Sequence, residues 1–394
     1  MDEYNLNWDL VQSHSFEEQA EIIWKAVRLA SRDIDDIRTP LNDIREILQD
    51  IWPGCHTKIF GSLVTALAFK DSDVDVMVDL PSHSKDDPYE CLIKIMVHIA
   101  YVRTGFEYVS SAPLARVPVI TLNHVKCNRN CDITFTGPIA VEASKLVKFL
   151  LRVDRRAFKL AVLIKYWSKH YKLTATKRLS NYAVTLLLIF FLQQKKILPS
   201  VRALQKNVPF TDTEGWNTAF NDVLHYECHN EESLYELLGE FFLYYSNFNY
   251  EEFVVCTYLG YPVKKQTFNK TLRLRSGKEL FLLTSCFCVQ DPFEHSKNCT
   301  IDVNVELFRK IYMSFNIAAK CYNNYPSNKF LKNLVLKGCN MRPTERYELN
   351  RFRQYTITNG QVPQEGRSWK FYFCTATCFL TLYYYIFLSP RIGA

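Results

Sequence analysis

The sequence predicts a small mixed-sheet α/β unit joined to a larger, mostly helical one, and three observations carry that expectation. Between His56 and Gly137 four short runs, HTKIF, DVDVMVDL, RVPVITL and CDITFTG, are rich in Val, Ile, Thr and Phe and alternate with a period of two, which is the pattern of strands bounded by turns. After about Ala143 the apolar spacing changes to the helical period. A chain of 394 residues, 48% apolar and 14% aromatic, holds enough material for one large or two ordinary cores.

Along the chain, Ser15-Phe16-Glu17-Glu18 has the form of a capping box, and QAEIIWKAVRLAS places its apolar residues on one helical face. A second helix is expected from Thr39-Pro40, with Leu41, Ile44, Leu48 and Ile51 on one stripe and a stop at Pro53-Gly54. The sheet follows. Beyond it, SKLVKFLLRVDRRAFKLAVLIKYWSKHYKL, NYAVTLLLIFFLQ and SLYELLGEFFLYYSNF read as helices, the second too short for a bilayer and so a buried one. KELFLLTSCFCVQDPFE reads as a strand ending in a loop with acidic residues. The expected division is N-terminal helices over 1–54, a sheet domain over 55–142, a helical domain over 143–342, and a tail over 343–394.

Lys plus Arg exceed Asp plus Glu by 48 to 41, a formal +7 that suits a phosphate-bearing partner without requiring one. The 13 cysteines include no C-x-x-C, which excludes paired zinc-ribbon or zinc-knuckle spacing, and His124-x-x-Cys127-x-x-x-Cys131 makes half a metal site with no second half. Reduced, intracellular thiols are the simpler reading. The acidic start MDEYNLNWDL has no signal or transit pattern, so a cytoplasmic location is expected. At the other end Phe371 to Leu388 carries no charge over a length that just spans a bilayer; its Tyr, Thr and Phe content also suits a buried strand or an apolar tail.

One stretch carries the chemistry. In KIFGSLVTALAFKDSDVDVMVDLP, Gly61-Ser62 and Asp73-Val74-Asp75 stand on either side of a ten-residue gap. On a strand Asp73 and Asp75 share a face, and two carboxylates so close repel unless a cation stands between them. A hard divalent cation answers that need, and it commonly also contacts substrate phosphates. Glycine lets a backbone approach a phosphate, and the serine adds a hydroxyl and an amide. No P-loop and no dinucleotide-binding glycine pattern is present.

G-S, a ten-residue gap and D-x-D resemble the signature of the DNA polymerase β-like nucleotidyltransferases, and NRNCDITFTG supplies the third carboxylate that this superfamily has, Asp132. The stretches KLAVLIKYWSKHYKL, LSNYAVTLLLIFFLQ and FFLYYSNF…VQDPFE are similar to central-domain blocks of the non-canonical poly(A) polymerases and terminal uridylyltransferases, with the associated region over about 232–296. The resemblance covers about residues 55 to 300. It implies an RNA 3′-terminal nucleotidyltransferase that needs no template and uses two Mg²⁺ or Mn²⁺ ions held by Asp73, Asp75 and Asp132.

By the same resemblance Gly61, Ser62, Lys165, Lys169 and Asn181 serve the triphosphate, Tyr182 stacks on the incoming base, and Ser144 contacts the ribose or base. Asp291, Glu294 and Lys297 belong to the base-reading loop DPFEHSKN. Three positions depart from the family pattern: Ala66 replaces a glycine, Ala143 an asparagine and Asn181 a serine. Members that choose uridine often carry a histidine where Lys297 stands. A lysine only donates, which suits uracil O4 over the adenine amino group, so UTP is favoured over ATP. His295 is expected to be exposed unless the loop is shifted.

The basic run KKQTFNKTLRLRSGK, Lys264 to Lys278, reads as an RNA-backbone track or a solvated loop. No RNA-reading module is evident, so partner proteins or 3′-end accessibility are expected to select the RNA. The alternatives are a poly(A) polymerase, a weakly active RNA-binding scaffold of the same fold and, more remotely, an oligoadenylate synthetase or small-molecule nucleotidyltransferase.

Overall fold

A computed structural model describes residues 3–29, 33–102, 104–174, 178–223, 226–272 and 279–336, all within the unit Met1–Cys339. The tail 343–394 with its apolar stretch 371–388, and basic residues 273–278, lie outside the described residues.

Three helices open the chain: α1 (Glu3–Gln12), α2 (Phe16–Val27) and α3 (Asp35–Ile51). Ser15 caps α2 by accepting the Glu18 N–H at 3.0 Å, but the Glu18 carboxylate reaches past Ser15 to the His14 N–H at 2.7 Å, so the expected reciprocal box is half formed. Helix α3 starts ahead of the expected Thr39-Pro40, and Pro40 lies inside it. A proline this near the start removes one backbone bond, and the buried stripe of Leu41, Ile44 and Leu48 outweighs that loss.

Strands β1 (His56–Phe60), β2 (Val74–Asp79), β3 (Phe106–Ala112), β4 (Val119–His124) and β5 (Arg129–Thr134) form a mixed sheet of order β1-β2-β5-β4-β3, with α4 (Pro88–Tyr101) between β2 and β3. Only β2 and β5 run parallel. Val74, Val76, Ile120, Leu122 and Ile133 bury one face against Ile44 and Leu48 of α3 and Leu92 and Ile95 of α4, each such side chain contributing about 1.5–3 kcal/mol. His124 accepts the Cys127 N–H at its Nδ1 (3.2 Å), so Nε2 carries the proton shared with Asp43 of α3 at 2.9 Å. That histidine ties helix to sheet.

The helical unit contains α5 (Pro138–Val153), α6 (Arg155–His170), α7 (Asn181–Gln194), α8 (Val201–Leu204), a small hairpin of β6 (Asp212–Thr213) and β7 (Trp216–Asn217), and α9 (Leu234–Asn247). It continues through β8 (Phe253–Cys256), β9 (Val263–Lys264), α10 (Phe268–Thr271), β10 (Val289–Gln290), α11 (Val305–Asn324) and α12 (Ser327–Leu336). Helix α7 is buried nearly all round, as its apolar run requires. Helices α9 and α11 pack closely because Gly239 leaves room for the Tyr322 ring where a Cβ would collide. Leu6 and Leu10 of α1 and Phe16 and Ile23 of α2 join this helical core, whereas α3 belongs to the sheet.

The strand expected over KELFLLTSCFCVQDPFE is confined to Val289–Gln290. Its apolar residues serve as separate plugs, Phe281 and Cys288 in a small cluster and Phe287 in the main core. Of the expected basic track, Lys264 is paired with Glu252 at 2.9 Å and Lys265 donates to the Ser285 carbonyl at 3.0 Å. Among the described residues no helix is long and apolar enough to cross a membrane.

Candidate active site

Parallel pairing of β2 with β5 makes Asp75 and Asp132 register partners, and Asp73 stands immediately before β2. The Thr121 hydroxyl donates to Asp132 at 2.6 Å, while the Ser62 backbone and the Asn130 side chain lie near enough to favour the charged forms of Asp75 and Asp73. Burial, then the charges of Asp132 and Asp73, push Asp75 up to about 7. Burial followed by Asp132 and Asp71 raises Asp73, and burial raises Asp132 against the Thr121 bond.

Among the described residues no three carboxylate, His or Cys side chains converge closely enough to hold a metal ion as they stand. Like charges repel, and Asp132 is drawn toward its own donor, Thr121. The donor set nevertheless fits a hard divalent cation, because it offers only carboxylate oxygens and their shared repulsion is what such an ion neutralises.

Gly61 closes β1 with φ +69°, a conformation that glycine adopts freely, and a Cβ there would run into the Asp75 carboxylate. Its N–H donates to the buried Ser144 hydroxyl at 2.9 Å, which donates its own proton to the Ala140 carbonyl at 2.7 Å. Ser144 is thus engaged in pinning the turn to α5. Downstream, the Thr65 N–H returns to the Gly61 carbonyl at 3.2 Å, and Ala66 takes φ +62°, the strained left-handed region for a residue with a Cβ.

Lys165 and Lys169 both reach from α6 to the segment between the turn and Asp73. Lys165 is buried, donates to the Leu67 carbonyl at 2.7 Å and lies 4.5 Å from the centre of the Phe69 ring. Burial and then the neighbouring Lys169 charge push it down to about 8. Lys169 pairs with the exposed Asp71. Asp79, at the end of β2, pairs with Lys58 of β1 at 2.5 Å, away from this group.

The loop DPFEHSKN after β10 sits against α7. The Tyr182 hydroxyl donates to Asp291 at 3.2 Å, and burial followed by that carboxylate raises Tyr182 well above its ordinary value. Asp291 is fully buried, accepts the Phe293 and Glu294 N–H groups at 3.0 Å each, and has the Lys297 ammonium 3.8 Å away. Asn181 is exposed at the start of α7. His295 is packed and not exposed: its ring lies 4.1 Å from Tyr258 and 5.5 Å from Trp216, and burial lowers it to about 4.

The sequence reading missed four residues that shape the site. Thr121 holds the Asp132 carboxylate, and Asn130 lies beside Asp73 and favours its charged form. Arg129 donates to the Ser72 carbonyl at 2.7 Å and the Lys70 carbonyl at 2.9 Å, fixing the approach to Asp73, and Arg116 pairs with Glu294. The one signal was a polar run, NRN, placed just before Asp132 in an apolar-alternating strand.

Two family models match the chain: "Poly(A) RNA polymerase, mitochondrial-like, central palm domain" over residues 16–152, and "Cid1 family poly A polymerase" over residues 233–297. The chain is 27% identical over 325 residues to poly(A) RNA polymerase cid13 of Schizosaccharomyces pombe, covering 79% of this chain and 53% of that protein. It is 26% identical over 323 residues to terminal uridylyltransferase cid1 of the same yeast, covering 77% and 78%. It therefore spans about half (53%) of the length of the first of these relatives. In three dimensions it resembles mtPAP in complex with ATPgammaS, with a TM-score of 0.72 at 20% identity over 85% of this chain and 75% of that one. It also resembles the Cid1 poly(U) polymerase bound to Mg 3′-dATP, with a TM-score of 0.68 at 24% identity over 82% and 99%. These two likenesses show the nucleotidyltransferase fold.

Proposed function

Because the chain belongs to the family of poly(A) polymerases and terminal uridylyltransferases to which both models and these relatives point, we propose that it adds nucleotides to RNA 3′ ends without a template. In the reaction the RNA 3′-hydroxyl oxygen bonds to the α-phosphorus of a nucleoside triphosphate, pyrophosphate leaves, and the hydroxyl gives up its proton. UTP is the favoured substrate, with ATP the alternative. The observation that carries the proposal is the Asp75–Asp132 register pair facing the Gly61 turn, with Asp73 beside it.

Bound Mg²⁺ or Mn²⁺, held by Asp73, Asp75 and Asp132, would activate the hydroxyl and neutralise the triphosphate. The chain's own part is positioning. Ser144 fixes Gly61, Arg129 fixes the segment before Asp73, and Thr121 orients Asp132. Lys169 is free to exchange Asp71 for a phosphate, since an exposed pair contributes little. Asn181 stands exposed at a helix start, where an anion is welcome. Tyr182, held by Asp291, offers a ring to the base, and Lys297 offers a donor to uracil O4.

The test is incubation of the purified protein with a single-stranded RNA and each nucleoside triphosphate separately, with Mg²⁺ or Mn²⁺. Extension, greatest with UTP and abolished in Asp132→Ala, is the expected result. A folded protein that extends nothing under any nucleotide and metal overturns the proposal.

A further inference from the structure

Four cations stand together outside the catalytic cleft: Lys148 and Arg152, one turn apart on α5, and Arg155 and Lys159, one turn apart on α6. Together with Glu17 and Glu21 of α2, and beside Thr65 and Ala66, they border one cavity of about 580 Å³. Lys148 is half-buried and the other three are exposed. Most other basic side chains near the site are occupied: Lys165 by the Leu67 carbonyl, Lys169 by Asp71, Arg116 by Glu294, Lys145 by Glu142 and Arg156 by Asp154. Among the described residues none of these four has an ion pair or a hydrogen bond to a carboxylate. Four cations against two acids, none of the four in a direct ion pair, leave a net positive ridge of the kind that follows a phosphodiester backbone.

A second observation gives the row a direction. Lys148 and Arg152 also border a groove of about 940 Å³ that contains Phe149 and Phe220, the Lys145–Glu142 pair and Asp222. Their rings are 5.8 Å apart, and Phe220 lies 6.2 Å from Phe293 in the base-reading loop. Aromatic rings beside a basic groove are how single strands are held without sequence preference, by stacking bases while cations follow the phosphates. Phe293 is buried, so the partly exposed rings of Phe220 and Phe149 are the ones that lead to α5, and the cations continue onto α6.

We propose that Lys148, Arg152, Arg155 and Lys159 form a track for the body of a single-stranded RNA whose 3′ end occupies the catalytic cleft. The track rests on the proposed RNA 3′-end activity but is tested apart from it.

Arg155→Glu/Lys159→Glu changes exposed side chains and leaves the catalytic groups alone. Fluorescence anisotropy with a labelled 15-nucleotide RNA is expected to show about a tenfold weaker Kd. The slope of log Kd against log salt should fall by about 1.4, or 0.7 for each lost phosphate contact. The Arg155→Gln/Lys159→Gln variant should show the same fall in slope with a smaller loss of affinity. In extension assays KM for the 15-mer should rise while KM for a trinucleotide primer stays the same. Unchanged affinity and salt slope in protein of unaltered Tm overturns the track, as does equal impairment of both primers. If wild type binds RNA with this salt dependence yet extends nothing, the activity falls and the track stands. Tight binding of poly-glutamate in place of RNA would instead assign the ridge to an acidic protein partner and overturn the proposal.

Discussion

Arg116, on the connection between β3 and β4, pairs with Glu294 in the loop after β10, so an ion pair fastens the sheet to the loop DPFEHSKN. Glu294 is largely buried and Arg116 is mostly exposed, so the arginine determines whether that carboxylate is presented neutralised or charged. Arg116→Ala should therefore act on nucleotide binding more than on chemistry: KM for the preferred triphosphate rises about tenfold or more, the loss of a charge-assisted contact, with kcat little changed. Steady-state kinetics with UTP and ATP check this.

Lys297 is the other adjustable element of that loop. Its ammonium is near Asp291 without a close bond, and so is available to a base edge. Lys297→Asn should move the UTP-to-ATP ratio of kcat/KM toward ATP by about tenfold, the worth of one hydrogen bond to a charged donor. An unchanged ratio would show that the lysine does not read the base.

Asp75 links the site to pH. Its folded value of about 7 lies above the 3.8 it has when solvated, so the folded state holds a proton that the unfolded chain has lost between these values. In metal-free protein this contribution to stability is fully present below pH 4 and disappears as pH rises through 7. Asp75→Asn should flatten that part of the stability profile. At pH 7.5 Mn²⁺ should raise the Tm of wild type and not that of Asp75→Asn/Asp132→Asn, as differential scanning fluorimetry would show.

The turn makes two opposite predictions at its two ends. Gly61→Ala places a Cβ against the Asp75 carboxylate, and displacement of a ligand by about 1 Å lowers kcat about 100-fold. Ala66→Gly removes left-handed strain of about 1–2 kcal/mol, offset by about 0.4–1 kcal/mol of added chain entropy. Denaturant titration should then show a net gain of about 0.5–1 kcal/mol.

Lys165 makes a prediction of opposite sign to that of Asp75. It is lowered to about 8 from 10.5, so its charge is disfavoured by folding, and stability recovers by about 3 kcal/mol as pH rises from 8 to 10.5. Subtracting the profile of Lys165→Met isolates this term from the tyrosines and cysteines that titrate nearby.

The catalytic strands were legible because alternation with Val and Ile is a local signal, and Asp73, Asp75 and Asp132 all fall in or beside such runs. Less local features were not. Ser144 looks like an ordinary small residue of α5 until Gly61, far away in sequence, is seen to donate to it. Lys165 has the spacing of a phosphate ligand, and only the fold shows its ammonium turned to Leu67. His295 falls in a polar stretch, yet Tyr258 and Trp216 enclose it from segments that no window around DPFEHSKN contains. The strand expected before that loop failed because its apolar residues plug two different clusters instead of alternating on one sheet face.

The lone parallel pairing in the sheet makes the acid pair a long-range feature of the chain. Since β2 and β5 are separated by all of α4, β3 and β4, Asp75 and Asp132 are distant in sequence and become neighbours only through this crossover. A chain truncated before β5 lacks Asp132, and with it half of the register pair on which the proposed activity rests.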